Sequence, residues 1–268
     1  MNTAIKTVKT DNFTMQYLEF GKGSEALMIL PGISVQSVLG SAQSVKGAYR
    51  LLAGHYTICL FDRRADLPPE YSVYDMARDT AEAIEAIGLD RVNLFGVSQG
   101  GMIAMKIAID HPQLVKKLVL GSTSARITDE QFHSLDQWTA LAKEGNATEL
   151  YHAFGKALFP EAAYEQFREM LTETAKTVTE EDLRRFIILA NGTQHFDVHD
   201  DLTKISCPVL LMGSEDDRVL GAEASRQIAE KLEGHPGFIF HLYDGYGHAA
   251  YDMAPDYKQR ILDFLLND

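Results

Sequence analysis

Short apolar runs separated by stretches with helical periodicity recur along most of the chain. The runs lack the apolar–polar alternation of a half-exposed strand, which indicates strands covered on both faces, as in a parallel sheet. Two further strands are expected near the start, on either side of Asp11 and Asn12. The predicted strands are Ile5–Val8, Phe13–Phe20, Ala26–Leu30, Tyr56–Phe61, Val92–Val97, Leu114–Leu120, Val209–Met212 and Phe238–Leu242.

Amphipathic patterns lie between these runs, with apolar residues repeating every three or four positions. A chain in which strands and helices alternate is typical of a doubly wound, mostly parallel α/β sheet. The helices predicted in the alternating parts are Ala42–Ala53, Val73–Ile87, Met102–Ile109, Ala222–Leu232 and a final helix from Pro255.

The alternation stops between about Ser122 and Lys204, where the pattern is helical throughout. Because strands resume afterwards, we interpret this stretch as an insertion that covers one end of the sheet. The chain is therefore divided into an α/β core, residues 1–122 and 205–268, and a helical cap, residues 123–204. The helices predicted in the cap are Asp129–Lys143, Ala147–Leu158, Glu161–Lys176 and Glu180–Ala190.

The charge balance narrows the range of partners. The 268 residues contain 25 Lys and Arg but 38 Asp and Glu, which gives a formal charge of −13. Nucleic acids and anionic membranes bind basic surfaces, so we expect neither as a partner. Two cysteines cannot form a disulfide framework, and neither a signal-like segment nor an apolar stretch of 18 residues is present. We expect a cytoplasmic protein of one main core; the sequence does not determine its oligomeric state.

The clearest chemical signal is the hexapeptide Gly96-Val-Ser-Gln-Gly-Gly101, which follows an apolar strand and opens a helix. A serine on such a tight turn crowds its neighbours two residues away on either side, and glycines at those positions relieve the crowding. The helix also directs its positive end at the serine. This context predicts that Ser98 is a nucleophile.

A nucleophilic serine needs a base and an acid that orients the base. After the strand at Val209–Met212 come three adjacent acids, Glu215, Asp216 and Asp217. Near the end of the chain, His248 lies in a glycine-containing loop after the last predicted strand. The order of serine, acid and histidine is the one that accompanies this type of turn.

Together these motifs resemble the α/β-hydrolase fold family, in its capped, single-domain serine hydrolase branch. The resemblance covers nearly the whole chain, although the cap matches only by position. It implies Ser98 as nucleophile, His248 as base and, from the spacing of three residues after Gly213, Asp216 as the orienting acid. Asp217 is the closest rival to Asp216.

The resemblance also implies an oxyanion hole of two backbone N–H groups. One belongs to Gln99, the residue after the nucleophile, and the other to Ile33 in the loop after the third strand. The family commonly has His-Gly in that loop, whereas this chain has Pro31-Gly32. A backbone donor survives the change, but the bracing of the loop must differ.

The implied activity is hydrolysis of a small to medium carboxylic ester or lactone through an acyl-enzyme intermediate. Two alternatives remain open: carbon–carbon bond hydrolysis or acyl transfer on the same triad, and ligand binding or signalling with little turnover. The partner expected is a small-molecule acyl substrate, and no metal or organic cofactor is required. A histidine- and aspartate-rich stretch at 195–201 is interpreted as a solvated connection, because it lacks the ligand spacing of a metal site.

Overall fold

The computed structural model describes residues 4–267 and is built around one mixed sheet. The strands in this range are β1 (Ala4–Lys9), β2 (Thr14–Gly21), β3 (Ala26–Leu30), β4 (Thr57–Arg64), β5 (Val92–Val97), β6 (Val115–Gly121), β7 (Val209–Ser214) and β8 (Phe238–Tyr243). Their spatial order is β1-β2-β4-β3-β5-β6-β7-β8. The pairs β1–β2 and β2–β4 are antiparallel, and the other pairs are parallel. The predicted doubly wound, mostly parallel α/β sheet is therefore confirmed.

Helices cover both faces of the sheet and also fill the long stretch between β6 and β7. The α-helices of the described residues are α1 (Ala42–Ala48), α2 (Val73–Ala86), α3 (Gln99–Asp110), α4 (Asp129–Lys143), α5 (Ala147–Leu158), α6 (Glu161–Ala175), α7 (Glu180–Asn191), α8 (Ala222–Lys231), α9 (Ala250–Met253) and α10 (Tyr257–Leu266). We call α4–α7 the helical insertion.

The side chains of β3 illustrate how the two faces of the sheet are buried. Met28 and Leu30 pack into the cluster that holds α2, α3 and α8, whereas Leu27 and Ile29 pack into the cluster that holds α10. Alternate residues of a strand point to opposite faces, so a continuous apolar run is what two covered faces require. Each such side chain contributes about 1.5–3 kcal/mol on full burial.

The helical insertion has a small core of its own. Trp138, Leu150, Leu183 and Phe186 pack together there, and Val35 joins them from the loop after β3. The start of α7 is fixed by a capping box between Thr179 and Asp182.

The predicted ends of the helix from Ala42 and of the strand from Tyr56 are wrong. The helix predicted over Ala42–Ala53 ends at Ala48 and is followed by a short 3-10 turn, because Gly47 weakens the helix and Tyr49 and Leu52 turn into the core. Strand β4 runs three residues past its predicted end at Phe61 and so carries the polar segment after it into the buried interior.

Candidate active site

Ser98 lies at the turn between β5 and α3 in a strained conformation. Its φ of 52° and ψ of −125° fall in a region that side-chain-bearing residues rarely adopt. A Cβ atom on Gly96 would lie 2.3 Å from the Gly100 carbonyl oxygen, and one on Gly100 would lie 2.0 Å from that of Leu30. The spacing of glycines around the serine is thus a steric requirement of this turn.

Neighbouring strands hold this turn in place. The N–H of Ser98 donates to the Gly121 carbonyl at 2.9 Å, and the hydroxyl of Thr123 donates to the Ser98 carbonyl at 2.7 Å. Strained backbone of this kind costs about 1–3 kcal/mol and persists only where its surroundings fix it. The end of β6 supplies that fixation.

His248 is paired with Asp217, and the prediction of Asp216 as its partner is wrong. Nδ1 of His248 lies 2.8 Å from a carboxylate oxygen of Asp217, and both side chains are buried. The other carboxylate oxygen of Asp217 accepts N–H bonds from Val219 and Leu220 at 2.8 and 3.0 Å. These bonds fix the carboxylate while leaving one oxygen directed at the imidazole.

Asp216 instead ties the loop that carries His248 to the end of β7. Its carboxylate accepts the Ser214 hydroxyl at 2.8 Å and the N–H groups of Gly245 and Gly247 at 3.2 and 3.0 Å. The third acid of the stretch, Glu215, forms an exposed ion pair with Arg226 at 2.6 Å. Asp216 therefore has a supporting position in the loop and does not contact the histidine.

The partner of His248 lies one residue later in the sequence than predicted, and this difference has a physical reason. Spacing from Gly213 assumes that the strand ends there, but β7 continues through Ser214 and pairs with β8 as far as Tyr243. The turn after β7 therefore begins one residue later than the spacing assumes. As a result, the carboxylate that points toward His248 is that of Asp217. The sequence alone gives no signal for this choice, because the end of β7 is set by its pairing with β8.

The electrostatics of Asp217 suit an ionised partner for an imidazole. Burial alone would raise the pKa of Asp217, but the charge and hydrogen bond of His248, together with the N–H donors of Leu220 and Val219, outweigh it. The pKa of Asp217 is consequently held below its ordinary value. The carboxylate is an acceptor at neutral pH and favours the imidazole tautomer protonated on Nδ1.

The N–H groups of Ile33 and Gln99, predicted as oxyanion donors, flank Ser98. A Cβ atom on Gly32 would lie 3.1 Å from the Ser98 Cβ and 3.6 Å from its hydroxyl oxygen, so the Gly32–Ile33 peptide passes beside the nucleophile. Gln99 is the first residue of α3. Neither N–H donates to a protein acceptor anywhere in residues 4–267.

Arg63 braces the loop in the absence of the family's usual histidine. Its Nη2 atom donates to the Pro31 carbonyl at 2.9 Å and to Oε1 of Gln99 at 3.0 Å, which joins the two candidate oxyanion segments. The Gln99 side chain in turn donates to the Leu189 carbonyl at 2.7 Å and to the Thr193 hydroxyl at 3.0 Å. Burial lowers the pKa of Arg63 to about 10, so it remains protonated at neutral pH.

A second arginine ties the helical insertion to the same loop. Arg185 of α7 pairs with the buried carboxylate of Asp62 and donates to the Ser34 carbonyl at 3.3 Å. The Ser37 hydroxyl also donates to Asp62. The sequence alone does not identify Arg63, Arg185 or Thr193 as site residues, because their partners lie far away along the chain.

One apolar cavity contains both Ser98 and His248. The space in it that no atom fills is about 530 Å³, part of which is open to solvent. The rings of Trp138 and Phe154 meet edge to face in its wall, with centroids 4.7 Å apart. The lining residues are Gly32, Ile33, Ser98, Gln99, Met102, Ile127, Gln131, Leu135, Trp138, Phe154, Leu158, Thr193, Val219, Leu220, His248 and Tyr251.

Within residues 4–267, no three His, Cys, Asp or Glu side chains are grouped so that they could hold a metal ion. The helices of the same range include none with the length and hydropathy needed to cross a bilayer.

Comparison with known proteins agrees with this architecture. A model of the alpha/beta hydrolase fold family matches residues 37–255. The curated relative named "Putative carbamate hydrolase RutD" from Agrobacterium fabrum is 28% identical over 254 residues, covering 88% of this chain and 93% of the relative.

Two solved structures share the fold over nearly the whole length. An alpha/beta hydrolase enzyme from a Medee basin deep-sea metagenome library has a TM-score of 0.87 and 21% identity, with 98% of each chain covered. An enol-lactonase from Burkholderia xenovorans has a TM-score of 0.83 and 16% identity, covering 98% of this chain and all of that one. This chain therefore belongs to the alpha/beta hydrolase fold family and is a hydrolase of that fold.

Proposed function

We propose that the protein is a serine hydrolase that cleaves a small to medium carboxylic ester or lactone through an acyl-enzyme intermediate. The observation that carries the proposal is the buried His248–Asp217 hydrogen bond beside a cavity that also contains Ser98 on its strained turn. A nucleophile, a base and an orienting acid arranged in this way are the parts that acyl transfer requires.

In the proposed acylation step, the Ser98 hydroxyl oxygen attacks the substrate carbonyl carbon while Nε2 of His248 takes its proton. Asp217 holds the Nδ1 proton and stabilises the imidazolium that forms. The N–H groups of Ile33 and Gln99 donate to the developing oxyanion, each contributing about 3 kcal/mol to lowering the barrier.

The tetrahedral intermediate then collapses. The bond to the leaving oxygen breaks, and His248 returns the proton to the departing alcohol. Water, deprotonated by the same histidine, attacks the acyl-serine ester. The bond between the acyl carbon and the Ser98 oxygen breaks, His248 returns the proton to that oxygen, and the carboxylic acid is released. In a lactone the leaving oxygen stays tethered to the acyl group, so a single hydroxy acid is released after deacylation.

We assign the helical insertion the role of a cap, with residues 123–204 as its proposed extent. Of the cavity residues, Gln131, Leu135 and Trp138 come from α4, and Phe154 and Leu158 from α5. The hydrogen bonds of Arg185 and Gln99 connect this cap to the candidate oxyanion segments. Such a cap excludes water from the reacting ester and strengthens the electrostatic interactions within the site.

The name of the RutD relative raises carbamate hydrolysis as a second acyl reaction that the same triad could perform. A carbamate that carries a negative charge would need a cationic partner. Among the described residues, no Lys or Arg side chain lines the cavity. An ester or lactone is for this reason the better fit, and carbon–carbon hydrolysis is not specifically favoured.

The test is covalent labelling and turnover that depend on Ser98. We expect a fluorophosphonate probe to label the wild-type protein and p-nitrophenyl acetate to be hydrolysed with a burst. Ser98→Ala should abolish both, whereas Ser44→Ala, an exposed serine of α1, should abolish neither. Equal labelling and turnover by wild type and Ser98→Ala would refute the proposal, and labelling without release of product would favour a binding protein.

A further inference from the structure

The wall of the candidate active-site cavity is mostly hydrocarbon. Around Ser98 and His248, the side chains of Met102, Leu135 and Leu158 lie among other aliphatic and aromatic groups. In the part of the chain that the structure describes, no Asp, Glu, Lys or Arg side chain lines the cavity. A substrate group that enters it therefore meets no charge of either sign, apart from the imidazole when that is protonated.

The few polar side chains in the wall already have protein partners. Nε2 of Gln131 donates to the Leu220 carbonyl at 2.6 Å, and its Oε1 accepts the Thr128 N–H at 3.0 Å. Gln99 and Thr193 are bonded to each other and to the backbone of α7. Because these groups hydrogen-bond to one another or to the backbone, they are not available to recognise a polar substituent.

Besides the indole N–H of Trp138, the remaining polar group of the wall is the hydroxyl of Tyr251. Burial raises its pKa far above the ordinary value, so its hydroxyl is neutral at working pH. It lies next to the His248 ring, with centroids 6.4 Å apart and the rings perpendicular. A neutral hydroxyl and an indole N–H can each satisfy a hydrogen bond but cannot balance a substrate charge.

We propose that the substrate is a neutral ester or lactone whose part within the cavity is hydrocarbon, and that the site discriminates strongly against anionic acyl groups. This inference rests on the proposed serine hydrolase function. Each methylene buried against the wall should raise kcat/KM about fourfold until the space is filled. A carboxylate taken from water into the same wall without a partner should lower kcat/KM by about 100-fold or more.

The experiment compares two 4-nitrophenyl esters of similar size, the neutral pentanoate and the anionic hemisuccinate. Turnover by Ser98→Ala is subtracted for each ester, because this removes spontaneous hydrolysis. We expect the ratio of kcat/KM to favour the pentanoate by about 100-fold or more. Ser98-dependent turnover of both esters with a ratio near one, or in favour of the hemisuccinate, would overturn the inference and leave the proposed function standing.

A variant that adds a cation to the wall tests the cause of the preference. Leu158 is half-buried in the lining, so Leu158→Lys can be accommodated more easily than a charge at a fully buried position. We expect it to reduce the preference for the pentanoate by about tenfold or more, whereas the apolar control Leu158→Met should retain it. Fluorophosphonate labelling of Ser98 in each variant verifies that the site is folded.

The outcomes separate the two proposals. Labelling and turnover with a strong neutral preference support both. An unchanged preference in a Leu158→Lys variant that still labels would mean that wall charge does not set selectivity, which contradicts the inference alone. Absence of Ser98-dependent labelling and of turnover of either ester would overturn the proposed function and the inference with it.

Discussion

His248 and Asp217 form a buried pair in which Nδ1 of the imidazole lies 2.8 Å from a carboxylate oxygen. The neighbouring Asp216 faces the loop backbone, although it is the residue that spacing along the sequence indicates. Two adjacent aspartates thus occupy distinct positions. One contacts the proposed base, and the other supports the loop that carries it.

Replacing each aspartate by asparagine distinguishes these positions. Asp217→Asn should lower kcat by about 10³–10⁴-fold, because an amide no longer stabilises the imidazolium and can select the wrong tautomer. Asp216→Asn should lower kcat by less than about tenfold, since its carboxylate does not contact the histidine. Steady-state kinetics on a 4-nitrophenyl ester would measure both, and a larger loss in Asp216→Asn would contradict this assignment.

The positions of Ser98 and His248 could be predicted because each is fixed by local sequence. Glycines two residues before and after Ser98 are needed by the turn itself, and the strand and helix on either side have clear periodicities. Apolar runs likewise identify the strands of the sheet, because burial on both faces leaves no room for alternation.

The choice of Asp217 and the bracing by Arg63 and Arg185 depend on relationships that a linear pattern does not contain. A strand that is longer by one or two residues moves an acid from one side of a turn to the other. The partners of Arg63 and Arg185 come from segments 32 to 151 positions away, which only the folded chain brings together.

Arg63 should act as a positioning residue for the candidate oxyanion hole. Arg63→Lys keeps a positive charge, but the lysine side chain is shorter and its ammonium does not reach the position of Nη2, the one atom that joins Pro31 to Gln99. We expect kcat to fall about 10- to 100-fold with little change in KM, because loosened N–H donors affect the transition state more than the bound ester.

The neighbouring residue offers a matched control. Arg64→Lys replaces an arginine that pairs with Asp66 and Asp79 on the outer part of the strand end, away from the cavity. It should change kcat by less than about twofold. If both variants lose activity equally, or if Arg63→Lys raises KM alone, Arg63 does not position the donors.

The stability contributed by Asp216 should depend on pH in a defined direction. Burial would raise the pKa of Asp216, but the hydrogen bonds from Ser214, Gly247 and Gly245 outweigh it, so the pKa lies below its ordinary value in the folded protein. A carboxylate with a lowered folded pKa stabilises the fold above its unfolded pKa. That contribution is lost as the pH falls through the folded value.

Asp216→Asn is therefore expected to destabilise the protein by about 1 kcal/mol at pH 7, a value kept small because the group is partly exposed. The difference from wild type should shrink as the pH falls below about 4, where the unfolded carboxyl titrates. Urea unfolding at a series of pH values between 3 and 7 measures this. A difference that is constant with pH would show that the ionised form contributes nothing.

Gly96, two residues before Ser98, should be irreplaceable for a steric reason alone. A Cβ atom at residue 96 would lie 2.3 Å from the Gly100 carbonyl oxygen, a backbone atom that cannot move without distorting the start of α3. We expect Gly96→Ala to destabilise the fold by about 3 kcal/mol or more and to abolish labelling of Ser98.

The matched control is Gly47→Ala, at an exposed position of α1 where an added Cβ meets no atom within 4 Å. The same substitution there should stabilise the protein by about 0.5–1 kcal/mol, because alanine favours the helix. Thermal and urea unfolding of both variants would decide the matter, and a Gly96→Ala protein as stable and as reactive as wild type would mean that the turn does not need its glycine.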